Sequence, residues 1–376
     1  MQVRHHLRNF NNLRINKQRS SNLELYRIIC MLMIVAHHFV VCSGLTAQGG
    51  PLSSGTISLN SLYLRLFGMW GKVGINCFMM ITGYFMCTSQ ITIRKYLKLL
   101  LQIYFYNLIF YVIFSIVGYE TLSINRILNL LVPIGIIKTN FTGCFLIFYL
   151  TIPFWTILVR NMTKRQHQLL LLLLLFCYSI IGSIPIFDIE YNYVSWFGII
   201  FLIASYIRLY PIPLFNRRHF WGWTTLVLVF ISMCSVAYIH WKVYAGYFFV
   251  SDCNRILAVM VAISSFLWFK NLNIPQSKFI NIIAASTFGV LLIHSNSGAM
   301  MKWLWSDVFN VTGNFALPIG QVILFSICVL LLVYCACTII DQIRLLLLEK
   351  PFFKWYDKHL DNKLNDYKNS FLCLKN

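Results

Sequence analysis

The run Leu25-Tyr-Arg-Ile-Ile-Cys-Met-Leu-Met-Ile-Val-Ala-His-His-Phe-Val-Val-Cys-Ser-Gly-Leu45 holds one formal charge, Arg27, in 21 residues. A hydrocarbon core about 30 Å thick is crossed by a helix of about 20 apolar residues. In lipid, an isolated segment can satisfy its own backbone only as a helix. The stretch therefore predicts a membrane-crossing helix. Working outward, the same test finds nine further windows free of Asp, Glu, Lys and Arg. They are Val73 to Ile93, Leu99 to Tyr119, Thr139 to Val159, Gln168 to Phe187, Tyr191 to Ile207, Trp221 to Ile239, Ile256 to Phe269, Phe279 to Met301 and Leu317 to Ile340. The fold class that follows is all-α, a polytopic integral membrane protein of about ten transmembrane helices. Residues 1–22 read as a basic polar segment, 23–340 as the membrane domain, and 341–376 as a C-terminal tail lying at the interface or fraying.

Composition agrees with one membrane domain. The 376 residues are 59% hydrophobic and 11% charged, with mean hydropathy +0.69, where an ordinary soluble chain is roughly a quarter charged. No polar block is long enough to fold separately. The 12 cysteines lie mostly within apolar runs and show neither CxxC nor zinc-ligand spacing, so packed thiols are expected, with no disulfide scaffold and no metal site. A net charge of +20 raises nucleic acid as a partner. The cations, however, sit in short clusters between apolar spans instead of along one face, which excludes that class and marks them as topology determinants.

Short cytoplasmic loops are enriched in Lys and Arg. With the N-terminus inside, 24 of the 31 basic residues fall on the inner side: Arg4, Arg8, Arg14, Lys17, Arg19 and Arg27, the loop groups beginning at Arg94, Arg160, Arg208 and Lys270, and seven from Arg344 to Lys375. The outer side receives Arg65, Lys72, Arg126, Lys138, Lys242, Arg255 and Lys302. Both termini are therefore expected in the cytoplasm of a multi-pass protein, with the bacterial inner membrane as the expected location. The first 22 residues lack an apolar core and a small-residue cleavage site, so no removable signal peptide is expected.

Ionisable groups inside lipid are costly and usually functional. Arg27 and His38 are eleven residues apart, which at 100° per residue is three turns plus about 20°, so they share a helical face about 16 Å apart along the axis. That is the scale of a phosphopantetheine arm. A guanidinium suits phosphate geometry, and an imidazole can serve as base or nucleophile. The alternative is a snorkelling Arg and a packing His. Glu24 is about 21 Å from His38 and is expected to pair with Arg27 at i, i+3 instead. Asn76 and Thr82, near Gly74 and Gly83, suit helix contact and interhelical hydrogen bonding. The outer loops carry Asp188, Glu190, Tyr191, Tyr193 and Trp196, then Trp241, Tyr244, Tyr247 and Asp252. These groups read either as a sugar platform or as an interfacial aromatic belt. The sequons at Asn140 and Asn310 carry no weight without a known host.

Three stretches together resemble acyltransferase family 3, integral-membrane proteins that transfer acyl groups to sugars. The run Asn22-Leu-Glu-Leu-Tyr-Arg27 through His38 is similar to the family's first helix. Lys72-Val-Gly-Ile-Asn-Cys-Phe-Met-Met-Ile-Thr-Gly-Tyr-Phe85 resembles its second, and Ala285-Ser-Thr-Phe-Gly-Val-Leu-Leu-Ile-His294-Ser-Asn296 its late helix. The resemblance spans about Asn22 to Ile340. It implies His38 as the catalytic group and Arg27 as its partner toward acyl-CoA, with Arg94 and Lys98 where relatives carry a basic cluster. His294 is followed by Ser295 where an acidic residue is common, and stands with Glu24 and Asn76 as a candidate accessory group. The implied donor is acetyl-CoA or another acyl-CoA, entering as substrate, with no permanently bound cofactor. The implied acceptor is a cell-surface polysaccharide or its lipid-linked glycan precursor, handled within the lipid bilayer.

Two mechanisms stay open: His38 as general base on a sugar hydroxyl, or His38 as a covalent acyl relay. Two other classes also stay open. A proton-coupled transporter or flippase would predict related halves with broken helices, and no internal symmetry is visible. A membrane scaffold would leave His38 dispensable.

Overall fold

The computed structural model describes residues 20–53, 57–131, 141–187, 189–242 and 247–360. Arg4, Arg8, Arg14, Lys17, Arg19, Lys138, Asn140, Asp188, Tyr244 and the end of the tail lie outside the described residues. Among the described residues the chain is helical, with no strand. The helices are α1 Ser21–Val41, α2 Leu59–Gly68, α3 Gly71–Met86, α4 Ile93–Ile116, α5 Ile124–Leu131, α6 Phe141–Asn161 and α7 Lys164–Leu175. They continue as α8 Tyr193–Leu209, α9 Arg218–Trp241, α10 Ile256–Lys270, α11 Lys278–Ala285, α12 Thr287–His294, α13 Gly298–Met301, α14 Ile319–Arg344 and α15 Lys350–His359.

Each of the ten expected windows contains helix, but not all as one straight span. Six helices are long and apolar enough to cross a membrane: α1, α4, α6, α7 with its continuation to Ser183, α9, and the run from α14 to His359. The ninth window is broken. Helix from Lys278 to His294 and from Gly298 to Ala316 meet at 94°, because Ser295-Asn-Ser-Gly298 interrupts the apolar run with turn-forming residues and the Ser297 side chain caps a new helix at Met300 N. Counted as one crossing, that pair makes seven. The helices α8 and α10 are apolar but shorter, and α3 has 16 residues.

Local signals set several starts. Ser58 and Ser61 form a reciprocal capping box on α2, and Thr163 and Gln166 form one on α7, each satisfying amides that a helix start leaves unpaired. Thr92 starts α4 by accepting from Lys95 N. The first helix stops before Gly44, whose φ of 88° suits a residue without a side chain.

The centre of the bundle is α1, which touches α2, α3, α10, α11, α12 and α14. Its apolar residues are accordingly buried on several faces, Tyr26, Cys30, Met31, Val35, Phe39 and Val40 among them. Its start is tied down by polar contacts. Asn22 Nδ2 reaches the Phe269 and Lys270 carbonyls at 3.0 Å and that of Leu272 at 3.2 Å, satisfying the end of α10. Ser21 Oγ accepts from Ser277 N and donates to Asn281 on α11. At the other end of the chain, helix runs unbroken through residue 341, where the tail was expected to begin. Leu345–Glu349 form a π-turn joining α14 to α15, and Asp341 and Arg344 are buried.

Candidate active site

His38 lies in the last turn of α1, and His294 is the final residue of α12. Tight contact of the two helices brings His38 Nδ1 to 2.9 Å from His294 Nε2. His294 Nδ1 is 2.6 Å from the Val290 carbonyl oxygen. That oxygen can only accept, so Nδ1 of His294 carries a proton and, in the neutral ring, Nε2 offers a lone pair. Nδ1–H of His38 then donates to it, and Nε2 of His38 is left as a lone-pair nitrogen. His294 is fully buried while His38 keeps partial exposure. Trp305, beyond the bend, lies edge-on to His294 and seals that side.

His37 faces elsewhere, as its 100° offset from His38 requires. Its Nδ1 donates to the Gly68 carbonyl at 2.6 Å, and its ring occupies the space that a side chain at Gly71 would need. It is a packing histidine.

Arg27 pairs with Glu24 as expected, at 3.0 Å, and lies over the Phe78 ring. Together with Lys95 and Lys98 it lines a cavity of about 330 Å³ whose other walls are largely apolar and aromatic, including Phe145, Tyr149 and Phe288. A lining that combines three cations with aromatic and apolar side chains suits a molecule that carries both phosphates and an apolar arm. Lys98 also bonds Glu349 at 2.6 Å, and Lys95 the Gln90 carbonyl at 2.6 Å.

Arg94 stands apart from Lys98. It does not line this cavity. Instead it makes a two-pronged ion pair with Asp357 at 2.7 and 2.9 Å and covers Phe353, both on α15. With α15 read as tail, no such partner for Arg94 was foreseen.

Asn76 makes the interhelical hydrogen bond expected of it, accepting from Trp196 Nε1 at 2.8 Å, and donates to the Cys253 carbonyl at 2.7 Å. The outer aromatics are likewise mostly turned inward. Trp196 is fully buried, Tyr193 OH accepts from Lys72 at 2.8 Å, and Tyr191 OH accepts from Cys253 N at 3.1 Å. Only Trp241 is strongly exposed among those described. The belt and packing reading fits these residues better than a sugar platform.

Sequence reasoning missed a buried polar chain beside the cavity. Asp341 Oδ1 accepts from Tyr106 OH at 2.8 Å, Arg344 Nε at 2.9 Å and Gln102 at 3.2 Å. Arg344 continues to Glu349 at 2.8 Å, and Glu349 to Lys98. The available signal was an Asp and an Arg at i, i+3 ending a long apolar run, where ionisable groups are seldom idle.

Among curated proteins and among solved structures, no match was found. The family comparison did match, over residues 20–341, with the acyltransferase domain. That range takes in Arg27, the His38–His294 pair and the cavity walls, and with the apolar helices around them it fixes the class: the chain belongs to acyltransferase family 3 and is a membrane acyltransferase.

Proposed function

We propose that the protein transfers an acyl group, acetyl in the first instance, from cytoplasmic acyl-CoA to a hydroxyl of a cell-surface polysaccharide or its lipid-linked precursor. The observation that carries this reading is the His38–His294 hydrogen bond, which leaves His38 Nε2 as a base on the helix face it shares with Arg27. The donor's phosphates would lie by Arg27, Lys95 and Lys98, with the pantetheine arm among the aromatic walls. His38 stands about 25 Å from the start of α1, so the thioester would meet its acceptor near the far side of the membrane.

In the chemical step, His38 Nε2 takes the proton of the acceptor hydroxyl as its oxygen attacks the thioester carbonyl. The C–S bond breaks as the tetrahedral intermediate collapses, and the CoA thiolate takes the proton back from the imidazolium. General base catalysis of this type contributes about 10² to 10⁴ in rate. His294 holds the ring in the required tautomer. In this reading the chain crosses the membrane ten times, with α3, α8, α10 and the bent α11–α13 unit as short or broken crossings. Both termini then face the cytoplasm of a bacterial inner membrane, as the distribution of Lys and Arg supports.

The test is glycan O-acylation in cells lacking the protein, complemented with wild type or His38→Ala at matched membrane levels, read as the mass shift of a base-labile group. Restoration by wild type alone supports the reading, and the mass shift names the acyl group. Restoration by both removes His38 from the chemistry. Loss of glycan export in place of the acyl group would favour transport.

A further inference from the structure

A second cavity, of about 40 Å³, borders the end of α12 at Leu291, Leu292 and Ser295, and its lining differs in kind from that of the first. It carries Asn107 from α4, Asn129 from α5, Thr142 from α6, and Ser295 and Asn296, the two residues after His294. Both cavities draw walls from the same helices. On α4 the first uses Gln102 and the second Asn107; on α6, Tyr149 and Thr142; around α12, Phe288 and Ser295. The step from Phe288 to Ser295 is about 10 Å along the axis. On α4 and α12 the second cavity lies farther along the chain, and on α6 it lies earlier. These three offsets point the same way when α6 runs opposite to the other two. The second cavity is therefore displaced beyond the first, away from Arg27 and toward the end of α12 that bears His294.

Its chemistry is specific. Asn296 Nδ2 donates to Asn107 Oδ1 at 3.2 Å and to the Leu292 carbonyl at 3.1 Å. With the amides oriented by those bonds, Asn107 Nδ2 and Asn296 Oδ1 remain as one donor and one acceptor. A hydroxyl both donates and accepts, and so matches such a pair. An ammonium only donates, and a phosphate oxygen at neutral pH mainly accepts. Among the described residues the lining has no ionisable side chain, and its polar groups are carboxamides and hydroxyls. Carboxamides and hydroxyls are also costly in a membrane unless they meet polar partners.

We infer that this cavity is the acceptor subsite, built for the uncharged hydroxyl-bearing edge of a sugar, with Asn107 and Asn296 as its reading pair. Its size admits a ring edge, with the rest of the acceptor lying outside. The inference rests on the acyl-transfer reading above and adds the charge class and docking place of the acceptor.

The experiment uses the full chain in lipid nanodiscs with acetyl-CoA as donor. Neutral hexoses, 6-deoxyhexoses and N-acetylhexosamines are offered as methyl glycosides and as dodecyl glycosides, beside glucosamine and glucose 6-phosphate. Acetylated product is followed by mass spectrometry. The expected result is acetylation of neutral sugars only, and preference for the dodecyl series would identify a lipid-linked source. Asn107→Leu and Asn296→Leu should each raise the glycoside KM at least tenfold while the acetyl-CoA KM stays within twofold. Asn296→Ser, which keeps a donor and acceptor, should recover most of the loss. The inference is overturned if charged sugars are acetylated equally well, if both Leu variants keep the wild-type glycoside KM, or if acetyl-CoA is consumed and no glycoside is modified. If wild type consumes no acyl-CoA even with envelope polysaccharide present, the acyl-transfer reading itself fails, and the subsite with it.

Discussion

The carboxyl group of Asp341 on α14 occupies the space that a side chain at Gly289 on α12 would fill. The two helices thus meet through a glycine, and the helix that ends in His294 is seated against the buried Asp341–Arg344 pair. Gly289→Ala should displace that carboxylate. Overpacking of this kind costs about 1–3 kcal/mol, and acyl transfer should fall along with thermal stability in detergent. Wild-type unfolding temperature in the variant would count against this contact.

Asp341→Ala should be more damaging. It takes from the Arg344 guanidinium, 6% exposed, one of its two carboxylate partners and leaves Glu349; breaking a buried pair from one side costs up to about 3–5 kcal/mol. The expected outcome is a large drop in unfolding temperature or in the amount reaching the membrane. Asp341→Asn, which keeps the shape and part of the hydrogen bonding, should lie between it and wild type.

Replacing His294 separates orientation from chemistry. His294→Ala should lower kcat by about 10², within the range of general base catalysis, because the His38 ring loses the partner that fixes its tautomer. The KM for acyl-CoA should change little. His294→Gln, whose carbonyl can accept from His38 Nδ1, should restore part of the rate. Equal rates for the Ala and Gln variants would remove the tautomer argument.

Arg27 and Arg94 should part company in donor kinetics. Charge-assisted hydrogen bonds contribute about 1.5–3 kcal/mol, so Arg27→Ala should raise the acyl-CoA KM by roughly tenfold or more. Arg94→Gln, which loosens α15 at an exposed ion pair, should raise it less than twofold, since exposed pairs contribute only about 0–1 kcal/mol. The reverse order would favour Arg94 over Arg27 as the group at the phosphates.

Most of the helices were legible because an uninterrupted apolar window is a strong physical signal. The bend after His294 was not, although Ser295-Asn-Ser-Gly298 announces it. A test that counts only charges passes over small polar turn residues. The same test ended the last span at Asp341, because it treats any carboxylate as a boundary. That choice concealed a continuous helix and the partners of Arg94, Lys98 and Glu349. The Arg27–His38 strip and the Arg27–Glu24 pair could be read from spacing within one helix. The imidazole beside His38 could not, since 256 residues separate it from His294 and no periodicity reports a contact between distant segments. Tyr191, Tyr193 and Trp196 were legible as an aromatic group, but not as one turned inward onto Lys72 and Asn76.

The placement of both histidines in final helical turns bears on the proposed reaction. Aligned peptide dipoles leave the C-terminal end of a helix partially negative, favouring a nearby cation by about 0.3–1 kcal/mol, or up to about 2 where solvent is partly excluded. The ends of α1 and α12 converge on the imidazole pair. When His38 takes a proton, its positive charge would arise between two such ends, already oriented before the reaction begins. In a segment this poor in carboxylates, the backbone itself would act as the counter-charge.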